Sequence, residues 1–235
     1  MFPSISIANF FDNPDEILDL ANSLEYLPTL NGSYPGLRTR PLHITNEVFF
    51  NNFCNSVFAN FYNNGSSINY TANLYFQKIP PFSKDKKDIR NKGWIHNDPA
   101  VLAGLVYLNK EADLDSGTSI YVPKKEHLDS KGLVKHKWAE DSDLKVNLYM
   151  DGKYNKEKYE KHMSLVGDKF TKAIQFNNIF NTFICYHGEA FHRAENMHIG
   201  TGEDRLTLVF FIDKVTVDGT PVQRVKQFLN GAHGR

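Results

Sequence analysis

Between Ile68 and Gln77 the chain alternates, with Ile68, Tyr70, Ala72, Leu74 and Phe76 in one phase and Asn69, Thr71, Asn73, Tyr75 and Gln77 in the other. A period of two predicts a strand buried on one face, ended by Pro80-Pro81. Ahead of it the spacing is helical. Asn13-Pro14-Asp15-Glu16 reads as a helix start, with Asn13 as cap, Pro14 in the first turn and acids at the positive end. Ile17, Leu18, Leu20, Ala21 and Leu24 give that helix its apolar stripe. A second helix is predicted after Thr45, carrying Val48, Phe49, Phe53, Val57, Phe58 and Phe61 as a core face and stopped by Asn63-Asn64-Gly65-Ser66-Ser67. Residues 34–41, rich in Pro, Gly and Arg, read as a turn-rich connector between the helices.

Residues 101–108 form a nearly continuous apolar run containing Gly104, which predicts a strand covered on both faces. Asp115-Ser116-Gly117-Thr118 turns into a strand over residues 119–122. Further strands are predicted over residues 172–176, 182–186 and 206–212, and a last hairpin over 215–222 turning at Asp218-Gly219. The tail from Gln223 reads as loosely held. Residues 123–151 are polar and irregular, and 153–165 read as a helix; so long an insertion between core strands suits a lid or binding element. The sum is a mainly β chain with flanking helices. It is expected to be one domain over residues 1–235, with a helical part of about 1–66 packed on a β core of about 67–222.

Composition narrows the partners. Apolar residues make up 41% of the chain, with 18 Phe and 11 Tyr, ample for a sizeable core. Lys plus Arg and Asp plus Glu balance at 27 each, so no charge excess steers the protein to duplex nucleic acid or an anionic membrane. The N-terminus lacks a cationic start followed by an apolar run, and no apolar stretch approaches the length of a membrane span. Cys54 and Cys185 are too few for a disulfide framework or a thiolate zinc site. A soluble protein of the reducing cytoplasm is the expectation.

The candidate chemistry lies in His96-Asn97-Asp98. On an extended segment, side chains two apart share a face, and Pro99 biases Asp98 towards such a backbone. One imidazole and one carboxylate, joined by a second imidazole from a distant strand, make a 2-His-1-carboxylate facial triad. That set holds one face of a non-haem Fe(II) and leaves positions open for substrate and oxygen. His187, His192 and His198 are the candidates for the second imidazole, and Arg205 would anchor an acidic co-substrate beside the metal. The bland reading of Arg205 is an edge residue paired with Asp204 or Glu203.

His96-Asn97-Asp98, the strand ending in Val106-Tyr107-Leu108-Asn109, Ser116-Gly117-Thr118, Phe191-His192-Arg193 and Arg205-Leu206-Thr207-Leu208-Val209-Phe210-Phe211 occur in that order. Together they resemble the Fe(II)/2-oxoglutarate-dependent oxygenase superfamily in its prolyl-4-hydroxylase-like form, over roughly residues 70–213. The Tyr34-Pro35-Gly36 connector looks like that of a poorly characterised phage and marine microbial branch. The resemblance implies a double-stranded β-helix, or jelly-roll, core. It implies Fe(II) held by His96, Asp98 and His192, the last lying thirteen residues before Arg205 as in relatives. It implies 2-oxoglutarate on the iron with its far carboxylate gripped by Arg205 and Thr207, dioxygen as the other co-substrate, and Tyr75 as a further contact to 2-oxoglutarate.

The implied reaction hydroxylates a C–H bond and releases succinate and carbon dioxide. Asp98 favours hydroxylation over halogenation, because related halogenases replace this carboxylate by a small residue. The substrate is left open between a small molecule and a peptidyl group, and nothing in the motifs sets an oligomeric state. Two rivals stand beside this reading: a cupin-like metal enzyme without 2-oxoglutarate, disfavoured by the missing His-X-His, and a non-catalytic jelly-roll binding module. His187 otherwise reads as a strand-end histidine bonded in the core, and His198 as an exposed loop residue. Arg193 fits the surface or the site mouth equally. Trp94 reads as a packing aromatic or part of the mouth, Arg38 and Arg40 as loop charges or substrate contacts, and the lysines between 84 and 92 as a solvated face.

Overall fold

The computed structural model describes residues 2–63, 66–135 and 138–218. The strands are β1 (Ile5–Ile7), β2 (Tyr26–Pro28), β3 (Leu37–Thr39), β4 (Ser67–Ile79), β5 (Leu102–Tyr107), β6 (Thr118–Pro123), β7 (Phe170–Phe176), β8 (Phe183–His187), β9 (Phe191–Ala194) and β10 (Arg205–Asp218). The helices are α1 (Pro14–Ser23), α2 (Leu42–Thr45), α3 (Glu47–Phe58), α4 (Trp138–Asp151) and α5 (Lys156–Gly167). A seven-stranded sheet runs β1-β8-β5-β10-β4-β3-β2, and a three-stranded sheet runs β7-β6-β9. Every strand pairing is antiparallel.

Strand β10 is the spine. It pairs β4 on one side and β5 on the other, so that Thr207 lies opposite both Gln77 and Tyr107, and Val209 opposite Tyr75 and Leu105. Directly opposed residues share a face, so the sheet sorts its side chains into two sets. Leu74, Phe76, Val106, Leu208 and Phe210 join Phe50, Phe53 and Val57 of α3 in the main core. Leu105, Tyr107, Ile184 and Val209 pack on Ile120 and Phe176 of the small sheet. The polar phase of β4 therefore splits: Gln77 is buried on the inner face rather than solvated. The cavity described below opens between the sheets on this side.

The aromatic stripe of α3 is confirmed, except that Val48 is 73% exposed and off the core face. Asn46 caps α3 by accepting the Phe49 N–H at 3.1 Å, a bond the sequence pattern did not single out. Asn13 precedes α1 as expected, but its side chain makes no capping bond. The N-terminal part is not purely helical. It supplies β1, β2 and β3 to the large sheet, and β3 lies inside the stretch that reads as a connector. Gly36 explains the dual reading. Its φ of +72° is a turn conformation, while a Cβ there would sit 2.2 Å from the Lys78 carbonyl oxygen, so only glycine lets β3 close onto β4.

Three further expectations change. Helix α4 occupies part of the stretch that reads as irregular, and with α5 it packs Leu148, Tyr159 and Met163 around Trp94. Strand β9 has no period-two signature because it is only four residues long. Residues 215–218 continue β10 instead of starting a hairpin; Gly219, the rest of that hairpin and the tail lie outside the described residues. Among the described residues, no helix is long and apolar enough to cross a membrane.

The small sheet carries its own polar clamp. Glu195, just past β9, accepts from the Tyr121 hydroxyl of β6, from Arg193 at 3.3 Å, and faces Lys172 of β7 at 3.3 Å. Arg193 is buried against the Tyr121 ring at 4.8 Å, so it belongs neither to the surface nor to the site mouth. Burial alone would raise the Glu195 carboxyl, but the Tyr121 bond and the Arg193 and Lys172 charges prevail and hold it at about 2.

Two predictions follow from packing and charge. Phe53 is 2% exposed and touches the rings of Phe10, Phe183 and Phe210, so Phe53→Ala should cost about 3–5 kcal/mol in urea unfolding. A cost below about 1 kcal/mol would contradict this packing account. The depressed Glu195 acid stabilises the fold above its ordinary value of 4.5, and that stability is lost as pH falls through about 2. The stability gap between wild type and Glu195→Gln should therefore be widest near neutrality and close with acidification over that window.

Candidate metal centre

The segment before β5 runs back alongside β9. His96 N–H donates to the His192 carbonyl at 3.0 Å and His192 N–H donates to the His96 carbonyl at 2.8 Å. This reciprocal pair sets the two residues directly opposite, side chains on one face, with ring centroids 4.4 Å apart. Gly93 N–H donates to Ala194, so the stretch from 93 to 96 holds one residue more than the facing stretch. Such a bulge bends the strand and re-aims its side chains. Two residues on, Asp98 N–H donates to the Gly188 carbonyl at 2.9 Å, which brings its carboxylate to the same face as His96. Gly188 is glycine of necessity, because a Cβ would lie 1.9 Å from the Ala100 carbonyl oxygen.

The imidazoles are oriented from behind. His96 Nδ1 lies 2.8 Å from the Trp94 carbonyl and His192 Nδ1 2.9 Å from the Ala190 carbonyl. A carbonyl only accepts, so each Nδ1 carries the proton and each Nε2 turns a lone pair to the front. The Asp98 carboxylate lies 3.8 Å from His96 Nε2 and 3.3 Å from His192 Nε2. One ligand atom from each residue lies within 4.8 Å of the others. Burial first, then His192, pushes the His96 imidazole down to about 4 against the pull of Asp98, although 43% of its side chain faces the open cavity. Burial raises the Asp98 carboxyl, but the neighbouring His192 and His96 rings and the Arg38 guanidinium outweigh it and keep the acid below its ordinary range. Acceptors converging on acceptors are satisfied by a cation between them, and two nitrogens with one carboxylate oxygen match the facial donor set of Fe(II).

Arg205, at the head of β10, is 3% exposed. Asn109 holds that end of the strand by accepting the Leu206 N–H at 2.8 Å and donating to the Asp204 carbonyl at 2.9 Å. The guanidinium lies 5.5 Å from the Tyr107 ring, and burial draws its basicity down. Its Nε and Nη2 make no well-aligned hydrogen bond among the described residues, nor do the Thr207, Tyr107 and Thr118 hydroxyls, although the Tyr107 hydroxyl lies close enough to Arg205 and Thr118 to interact with both. Buried polar groups are nearly always paired. A buried guanidinium flanked by hydroxyls that lack well-aligned partners has donors to offer an anionic group. The bland pairing of Arg205 with Asp204 or Glu203 does not occur among the described residues.

A cavity of about 550 Å³ joins these parts and is lined by His96, Asp98, His192, Thr118 and Arg205. Tyr186 walls it beside His192, ring centroids 4.5 Å apart. Arg38 of β3 lines it too, as neither a solvated nor a loop charge. Its Nε and Nη2 donate to the Gln77 Oε1 at 3.2 and 3.1 Å, and its guanidinium stacks 4.0 Å over Tyr34. Burial lowers Arg38 to about 10, against Tyr34, Tyr75 and Asp98. Tyr75 lies on the far side of Arg38 at 5.4 Å, outside the cavity lining. Trp94 both packs, edge-on to Tyr159 at 5.3 Å, and lines the cavity.

His187 is the strand-end histidine expected, its Nδ1 2.8 Å from the Val101 carbonyl; His198 sits in a loop, half-buried, and Arg40 is exposed. Lys86 pairs with Asp113 at 2.7 Å rather than standing solvated. The sequence reading assigned no role to Tyr107, Thr118, Gln77 or Tyr186, which the structure brings to the site. Signals were present: Tyr107 and Thr118 fall within the motifs that carry the resemblance, Gln77 lies in the polar phase of β4, and Tyr107 is a lone phenol closing an otherwise apolar strand.

Comparison of the sequence with curated proteins finds no match. Among solved structures, HygX from Streptomyces hygroscopicus with nickel and 2-oxoglutarate bound is 12% identical, with a TM-score of 0.50 over 88% of this chain and 81% of that one. The α-ketoglutarate-dependent epimerase SnoN from nogalamycin biosynthesis is 11% identical, with a TM-score of 0.46 over 90% and 79%. A Pseudomonas putida prolyl-4-hydroxylase is 10% identical, with a TM-score of 0.42 over 89% and 91%. The likeness to HygX shows a shared fold. A family model described as a family of unknown function, DUF6445, matches residues 2–212, and the chain belongs to that family.

Proposed function

We propose that the protein is an Fe(II)- and 2-oxoglutarate-dependent dioxygenase that hydroxylates a C–H bond of its substrate. The observation that carries this is the convergence of His96, Asp98 and His192 beside a buried guanidinium with unmatched donors. On this reading the two sheets form a double-stranded β-helix, and residues 1–235 act as one domain. The two free, buried cysteines suit a reducing cytoplasmic setting.

His96, His192 and Asp98 would hold the iron. Arg205 would take the far carboxylate of 2-oxoglutarate, with the Thr207, Tyr107 and Thr118 hydroxyls beside it. Tyr75 lies 5.4 Å from Arg38 and outside the cavity lining, so no contact to 2-oxoglutarate is assigned to it. When bound, iron and 2-oxoglutarate supply the oxidation: 2-oxoglutarate, dioxygen and R–H give succinate, carbon dioxide and R–OH. The chain's own work is orientation and exclusion. The Trp94 and Ala190 carbonyls fix the imidazole rings. The buried Arg205 acts where water screens it little. A cupin-like reading leaves this cation unexplained, and an uncompensated buried charge costs several kcal/mol, to order of magnitude.

Anaerobic addition of Fe(II) and then 2-oxoglutarate should produce a metal-to-ligand charge-transfer absorption band. His192→Ala should weaken metal binding by at least about ten-fold. Arg205→Gln should leave metal affinity in place and weaken 2-oxoglutarate by about ten-fold or more. Folded, iron-loaded protein that gives no band would falsify the assignment.

A further inference from the structure

The cavity has more positive charge than the iron and co-substrate roles consume. Its lining includes two buried guanidiniums, Arg205 and Arg38, against a single acid, Asp98. Under the oxygenase reading Arg205 serves 2-oxoglutarate and Asp98 serves the metal, which leaves Arg38 of β3 without a role.

Arg38 is built as a receptor. Gln77 takes its Nε and one Nη2 proton through a single oxygen, and is itself fixed by donating to the Pro35 carbonyl at 2.8 Å. Stacking on Tyr34 fixes the plane of the guanidinium. The side-on edge is thus occupied, while the end-on edge, Nη1 with the second Nη2 proton, has no partner among the described residues. Arg38 also forms no ion pair with a carboxylate among them. Two parallel N–H bonds from a planar edge match the two oxygens of a carboxylate. The cavity of about 550 Å³, shared with the metal and 2-oxoglutarate, is in the range of small-ligand pockets, and a small molecule is the occupant that fits it best.

We infer that Arg38 is the specificity residue for the primary substrate, and that this substrate is a small molecule recognised by a free carboxylate. The inference rests on the dioxygenase reading for the division of roles between Arg38 and Arg205.

The test has two arms, with Ni(II) replacing iron so that no turnover occurs. In the first, 2-oxoglutarate is titrated by calorimetry into wild type, Arg38→Leu and Arg205→Gln. Arg38→Leu should retain 2-oxoglutarate affinity within about two-fold, while Arg205→Gln loses about ten-fold or more. In the second, protein loaded with Ni(II) and 2-oxoglutarate is screened by ligand-observed NMR against free L-amino acids, small organic acids, the primary amides of each, and inorganic phosphate. At least one acid should bind, its amide should bind about ten-fold more weakly, and Arg38→Leu should weaken the acid but not the amide. Arg38→Lys, which keeps charge but not the planar edge, should fall between, and equal melting temperatures establish that the variants fold.

Loss of 2-oxoglutarate binding in Arg38→Leu with Arg205→Gln unaffected would reverse the roles and overturn the inference. So would acids that bind regardless of Arg38, phosphate that binds more tightly than every acid, or no acid binding at all. Failure of wild type to bind 2-oxoglutarate sinks the dioxygenase reading instead; the same panel on the ligand-free protein then still decides whether Arg38 captures a carboxylate.

Discussion

The two reciprocal backbone bonds between His96 and His192 are the constraint on which the site depends. They fix the separation and facing of two side chains that are nearly a hundred residues apart, and they do so through the main chain. Side-chain bonds to the Trp94 and Ala190 carbonyls then remove the remaining rotation of each ring. Asp98 is fixed in the same way, by its N–H on Gly188 and the close approach of Gly188 to Ala100. Three ligand candidates are thus positioned by ladder geometry before any ion is considered, which is what a preorganised centre requires.

The inner face of the large sheet tolerates polar groups that an ordinary core would reject. Gln77, Thr207, Tyr107 and Arg205 all arise from strand positions facing the second sheet. Their neighbours on the opposite face are Leu, Phe and Val packed on α3. The larger hydrophobic cluster lies on that opposite face, and a smaller one packs between the sheets. The inner face is therefore free to hold unmatched donors, whose local cost is offset by the helical layer and its Phe-rich contacts.

Much of this was legible because it was periodic or local. The alternation in β4, the apolar run of β5 and the helical stripe of α3 each contain enough residues to reveal their period. His96-Asn97-Asp98 was legible because two-residue spacing fixes the shared face. Strand β9 was too short to show a period, although it carries His192, and its place could be reached only through the resemblance. Strand β3 was hidden by the Pro and Gly that normally mark a turn, and α4 by a polar surface with few apolar anchors. Arg38 was ambiguous for the same reason: its environment is made by Gln77 and Tyr34, which come from a strand thirty-nine residues on and from its own turn. No pattern along the chain encodes such a tertiary pairing.

Strand β3 touches β4 through only two register positions, Leu37 with Lys78 and Arg38 with Gln77. The ladder beneath the imidazoles belongs to the other sheet and, among the described residues, shares no hydrogen bond with β3. The wall carrying Arg38 is therefore mechanically separable from the floor carrying the histidines. A substitution in β3 can therefore change what that wall presents to the cavity without touching the backbone bonds that set His96 and His192 face to face.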